Sequence, residues 1–180
     1  TLKWNQSEVI DANTVYFSNG GTGILEVPAG GTLKLGSAAD PINNLFIARV
    51  GSGNALADID LSVTDPFFEA HVGGSLRIGE KVSTSGSGTQ DGTLKLGSNS
   101  VLNVGTAAAL AEMRIGYNED TNDGNSIGVF DALETAADVN LHLTNNRSRL
   151  SSVRNDSVDE LSFGTYADVE FNWSDRFRTT

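Results

Sequence analysis

Apolar and polar residues alternate in short runs along this chain, and a glycine closes most of the runs. GTLKLGS stands at Gly31 and again at Gly92, while ARVG at Ala48, LRIG at Leu76, MRIG at Met113 and LSFG at Leu161 follow a similar plan. Strict alternation ending in glycine is how a half-buried strand entering a tight turn is written. A second phrase recurs between the first: ADIDLSV at Ala57, ADVNLHL at Ala137 and ADVEFNW at Ala167. Two interleaved strand repeats predict a stacked, solenoidal β protein, because each unit covers its apolar edge only by lying on the next.

The spacing is irregular: 28 positions separate Arg49 from Arg77, and 37 separate Arg77 from Arg114. A left-handed hexapeptide helix would keep its count, so the expectation is an all-β fold, a single-domain right-handed parallel β-helix (β-solenoid) with irregular polar corner loops. It spans residues 1–180, and an antiparallel β-sandwich is the structural alternative. SNSVLNV at Ser98 lies near the midpoint of Ala57 and Ala137 and reads as a degenerate copy of their phrase. Long polar corners are predicted at Glu80 to Gly92, Tyr117 to Ser126 and Thr144 to Ser157, the last carrying Arg147, Arg149 and Arg154. Helix propensity is concentrated in TAAALAEM at Thr106 and DALETAA at Asp131, the two candidate helical turns.

Alternation also assigns faces. Ile59, Leu61 and Val63 fall inside with Asp58, Asp60 and Ser62 outside; Val139, Leu141 and Leu143 fall inside with Asp138, Asn140 and His142 outside; Val169, Phe171 and Trp173 complete the series. Stacking these phrases would give one acidic exterior face. Arg49, Arg77 and Arg114, with Lys34 and Lys95, point outward from the glycine-ended phrase and would give a basic one. Two such faces would orient lateral association, although outward strand positions must be polar in any case and charges there discourage edge pairing.

Charge narrows the partners. With 12 Lys and Arg against 23 Asp and Glu the formal charge is -11, which repels phosphate backbones and anionic lipid surfaces. Nucleic-acid binding and membrane insertion are therefore not expected, and no apolar run reaches the roughly 20 residues of a spanning helix. The chain has no cysteine, which removes disulfides, thiolate metal sites and a cysteine nucleophile together. Its 20 Gly, its many Ser, Thr, Asn and Asp and its scarcity of Lys are the composition of a secreted or surface β protein. The start without Met and the strand-like end suggest a segment of a longer or polymeric assembly.

Candidate chemistry is sparse. The loop NEDTNDGNS offers Asn118, Asp120, Asn122 and Asp123 as oxygen ligands around Gly124, the ligand type calcium takes from a bendable loop. It lacks the helix-loop-helix calcium signature, and the same text is ordinary turn chemistry. His71 and His142 are the only histidines, no GxSxG phrase occurs, and Asp58 with Asp60 follows from alternation alone. No enzyme activity and no certain cofactor are expected. Trp4, Trp173, Tyr16, Tyr117 and Tyr166 are scattered and form no row for stacking sugars, so glycans are a secondary expectation.

Taken together, the GTLxLG and LRIG phrases between Gly/Asn-rich corners, from about Ile24 to Trp173, resemble the β-solenoid passenger or stalk regions of bacterial autotransporter-like or adhesin-like surface proteins. The resemblance implies an extracellular or cell-surface structural protein, a fibre-forming subunit or stalk segment that self-associates through stacked strands. A calcium- or carbohydrate-binding β-helical module is the alternative reading, and a polysaccharide-processing enzyme a more distant one.

Overall fold

A computed structural model describes residues 1–51, 53–82, 88–118, 125–132 and 137–144, together with the backbone of strands at 149–150 and 159–163. The chain begins with three short strands, β1 (Leu2–Lys3), β2 (Val9–Ile10) and β3 (Thr14–Phe17). Three complete coils follow: β4 (Gly21–Glu26), β5 (Thr32–Leu35) and β6 (Ile42–Val50); then β7 (Ala55–Asp60) and the long β8 (Phe67–Lys81); then β9 (Gln90–Lys95), β10 (Ser100–Val104) and β11 (Glu112–Ile115). Beyond them lie β12 (Ser126–Ala132), β13 (Asp138–Leu141), β14 (Arg149–Leu150) and β15 (Asp159–Phe163).

All inter-strand ladders between these strands are parallel, and the strands stack in three walls. The first wall is β1-β4-β7-β9-β12-β15. The second runs β2-β5-β8-β10-β13 and the third β3-β6-β8-β11-β14, with β8 long enough to serve both. This is a parallel β-solenoid, and no helix occurs among the described residues. A sandwich is thereby replaced by coils. The candidate helical turn at Thr106 is instead a tight turn, with a bridge between Thr106 and Ala109, leading into β11. Most of the one at Asp131 lies outside the described residues, but Asp131 and Ala132 themselves end β12.

The core consists of columns of apolar residues that climb the stack. Ile47, Ile78 and Ile115 lie in register in the third wall, beside Leu45, Leu76 and Met113. In the second wall Leu35, Ala70, Leu102 and Val139 form one column and Ile42, Val72, Val104 and Leu141 another. In the first, Ile59, Leu94 and Phe130 are stacked. All of these are buried, each large aliphatic or aromatic side chain adding roughly 1.5–3 kcal/mol of transfer free energy.

Several phrases that look alike in sequence occupy different walls. The first GTLKLGS supplies β5 of the second wall and the second supplies β9 of the first. Ile59 belongs to the first wall and Val139 to the second, so the two phrases do not stack; Val169 lies outside the described residues. SNSVLNV does pair with ADVNLHL, through Leu102 and Val139, but not with ADIDLSV. Val63 is exposed, not internal, because β7 ends at Asp60 and Asp60 Oδ1 accepts hydrogen bonds from the backbone and hydroxyl of Ser62 to make a turn.

The third wall also shifts the phase of one repeat. Leu45 and Ile47 align with Leu76 and Ile78, so LFIA at Leu45, not ARVG at Ala48, is the counterpart of LRIG and MRIG. Ala48 then occupies the place of Gly79 and Gly116, and all three have left-handed backbone, with φ of 54°, 63° and 61°. This corner lies directly against the first wall, where small residues climb as Gly23, Ala57, Gly92 and Gly128. A Cβ on Gly92 would sit 2.6 Å from Gly79 N, and one on Gly79 would run into the Ile127 carbonyl.

Two substitutions should separate backbone strain from backbone collision. Ala48→Gly relieves a left-handed alanine, worth about 1 kcal/mol, and loses a buried methyl worth about 0.8 kcal/mol. Chemical denaturation should place it within about 1 kcal/mol of the parent. Gly79→Ala meets fixed backbone and should destabilise by about 3 kcal/mol or more.

Candidate functional site

Two polar assemblies stand out on the outside of the walls. The first is a ladder of charge on the third wall, where Arg77 and Arg114 are in register and Arg49 pairs with Glu80. Glu80 has no exposed side-chain surface and accepts hydrogen bonds from Arg49, Arg77 and Arg114, the last at 3.0 Å. Glu112 accepts a further bond from Arg77 at 2.7 Å and lies 3.8 Å from Arg114. Arg49 also stacks on Phe46 and Arg114 on Tyr117, at 4.4 and 4.5 Å from the ring centres, contacts that suit a planar, weakly hydrated guanidinium.

The arginines therefore do not make the basic exterior face expected from alternation. Glu80 and Glu112 neutralise them in place, and Arg77 and Arg114 are themselves largely covered. Nor is there a single acidic face: Asp58 and Asp60 lie on the first wall, Asp138 and Asn140 on the second. Lys34 and Lys95 are likewise apart, the one within 3.8 Å of Glu69 and the other within 3.8 Å of Asp60.

The second assembly is a groove of about 270 Å³ at the corner between the second and third walls. Its polar lining comes from His71, Asn103, Asn140, His142, Ser37 and Thr106. His71, Asn103 and Asn140 occupy equivalent register positions in consecutive coils. Asn140 Nδ2 donates to Asn103 Oδ1 at 3.0 Å and to Asp138 Oδ1 at 2.9 Å. His71 Nε2 lies 2.9 Å from Glu69 Oε1. The two histidines, far apart in sequence, thus line one cleft. Only knowledge of which strands stack could have joined them.

Of the calcium-loop residues, Asn118 is buried and forms a parallel bridge with Lys81, itself fully buried. Asp120, Asn122 and Asp123 lie outside the described residues. Among the described residues no group of three or more His, Asp or Glu is placed to hold a metal ion. Asp58 and Asp91 do come close as diagonal neighbours on the first wall. Partial burial, and then the Asp58 charge, raise the Asp91 carboxyl above its ordinary value of 3.8. Trp4 packs against the core and donates its indole N–H to the Gln6 carbonyl at 3.2 Å; Trp173 and Tyr166 lie outside the described residues.

Comparison with known protein families, curated proteins and solved structures finds no match to this chain.

The charge assemblies make two measurable demands. Glu80→Gln removes the shared acceptor of three arginines and leaves buried cations facing one another, so denaturation should show a loss of about 3–5 kcal/mol. Asp91→Asn should act in the other direction. A carboxyl raised in the folded state binds its proton more tightly there than in the unfolded chain, so stability falls as pH rises through the folded pKa. The amide should melt higher than the parent near neutral pH, by about 1 °C given solvent screening of a half-exposed group. Below pH 3.8 the two should converge, because the carboxyl is then neutral in both states.

Proposed function

We propose that this chain is a structural β-solenoid segment of an extracellular or cell-surface protein, of the autotransporter-like or adhesin-like kind, working as a stalk or fibre-forming subunit. The observation that supports this most is the one-sided pairing at the start of the stack. Among the described residues β1, β2 and β3 each pair on one side only, with β4, β5 and β6. Leu2 and Val9 in these strands are 52% and 44% exposed. Unpaired parallel edges beside exposed apolar side chains are templates for strand addition, and a further coil would continue each core column.

The charge ladders fit such a role. Many outward carboxylates and cations pair with one another, mostly between successive coils, which leaves axial stacking as the principal route of growth and keeps the lateral faces soluble. The reading assigns no reaction to the molecule.

The test is particle mass and shape over a wide concentration range, by light scattering and negative-stain microscopy. Growth into linear particles of constant width is expected. Replacing Leu2 and Val9 with lysine should abolish growth while leaving the melting temperature within about 2 °C, because both side chains are half exposed. A particle that stays monomeric at every concentration removes the proposal.

A further inference from the structure

The corner groove owes its existence to a missing loop. After β5 the chain turns through Gly36 to Pro41, with Ser37 N donating to the Asp40 carbonyl at 2.9 Å and Asp40 N to Ser37 Oγ at 3.0 Å. After β10 it turns at Thr106, with Thr106 N donating to the Ala109 carbonyl at 2.8 Å and Ala109 N to Thr106 Oγ1 at 3.0 Å. In the coil between them β8 runs through the same corner unbroken. Two hydrogen-bonded turns therefore flank a trough floored by Gly73, with Pro41 on one side. Its walls are fixed before any ligand arrives, which lowers the entropic cost of binding.

The lining has hydrogen-bonding capacity left over. Asn103 is engaged through its Oδ1 alone, so its Nδ2 is a donor without a protein partner, and Asn140 uses only its Nδ2, so its Oδ1 is an open acceptor. Ser37 and Thr106 accept bonds from their own turns and retain a hydroxyl hydrogen to donate. Three open donors, Asn103 Nδ2 and the two hydroxyls, and one open acceptor, Asn140 Oδ1, thus line the trough. Among the described residues no lysine or arginine lines the trough, and nearby Glu69 is engaged by His71 and Lys34 and nearby Asp138 by Asn140.

We propose that this groove binds a neutral saccharide, one or two sugar rings of a longer glycan. Each sugar hydroxyl both donates and accepts, matching the amide pair, while a ring's C–H face suits Ala38, Gly73 and Pro41. The volume is at the small end of ligand pockets. A phosphate, sulfate or uronate would meet no lysine or arginine among the described lining residues, on a chain of net charge -11. Binding at this corner is independent of axial stacking, so either property can fail without the other.

The experiment is a titration of the full chain with maltose, cellobiose, lactose and diacetylchitobiose, each to about 20 mM, and with digalacturonate as the anionic comparison, followed by amide NMR. At least one neutral disaccharide should saturably shift the side-chain amides of Asn103 and Asn140 and the backbone amides of Gly73 and Gly105. Asn103→Asp keeps an acceptor for Asn140 but deletes the open donor, and should weaken binding about tenfold. Gly73→Ala, whose methyl would lie 3.2 Å from Pro41 Cγ in the trough, should weaken it independently and covers the case in which the aspartate variant does not fold. No shift in the groove with any neutral sugar, undiminished binding by the folded variants, or tighter binding of digalacturonate overturns the proposal.

Discussion

The close approach of backbone at the corner between the third and first walls governs this molecule. Side chains elsewhere in the interior keep the walls apart, but here Gly79 and Gly116 press on Gly92 and Gly128 with no room for a Cβ between them. The left-handed φ of the corner residue turns the chain, and a ladder of small residues on the first wall accepts the turned backbone. Both conditions recur coil after coil. A coil that satisfied only one would either fail to turn or be held off the stack, and the aliphatic columns would lose their register.

That constraint explains why the glycines were the most readable part of the sequence. Glycine after Ile78 and Ile115 marks true equivalents, and those phrases do stack. Ala48 breaks the pattern: with alanine at the turn, the next glycine in the text is Gly51, which displaces the apparent repeat by three residues. Structural equivalence followed the apolar pair Leu45 and Ile47 instead, because a core column tolerates a strained alanine more readily than a misplaced aliphatic. The fold class, the parallel stacking and the polar corners were legible for the same reason: alternation and turn chemistry are local.

Wall assignment was not local, and there the sequence was ambiguous. Two identical copies of GTLKLGS lie in different walls, which proves that nothing inside the phrase says where it belongs. Each wall asks for the same half-buried strand, so the information resides in the lengths of the intervening corners. Those lengths also decide which outward residues meet. Read by phrase alone, Arg49, Arg77 and Arg114 made a basic face; placed by register, they surround Glu80, which the reading had assigned to a corner. Of the four candidate calcium ligands only Asn118 falls among the described residues, buried beside Lys81 in a bridge between coils, a place dictated by strand pairing and not by its neighbours in the loop.

The same dependence on corners separates the scaffold from its site. In a solenoid the walls must repeat, since each column has to continue through the next coil, and so a change there is felt throughout the stack. Corners carry no such obligation. Lengthening one adds a projection, and deleting one lets two strands fuse, as the second and third walls do in β8. The fused strand preserves every core contact of its coil: Val72 still lies between Ile42 and Val104, and Leu76 between Leu45 and Met113. Yet the deletion leaves a trough between the turns above and below it. A concave, preorganised surface is thereby obtained from a repeating scaffold without disturbing the repeat, and its floor and walls come from residues that no sequence motif brings together.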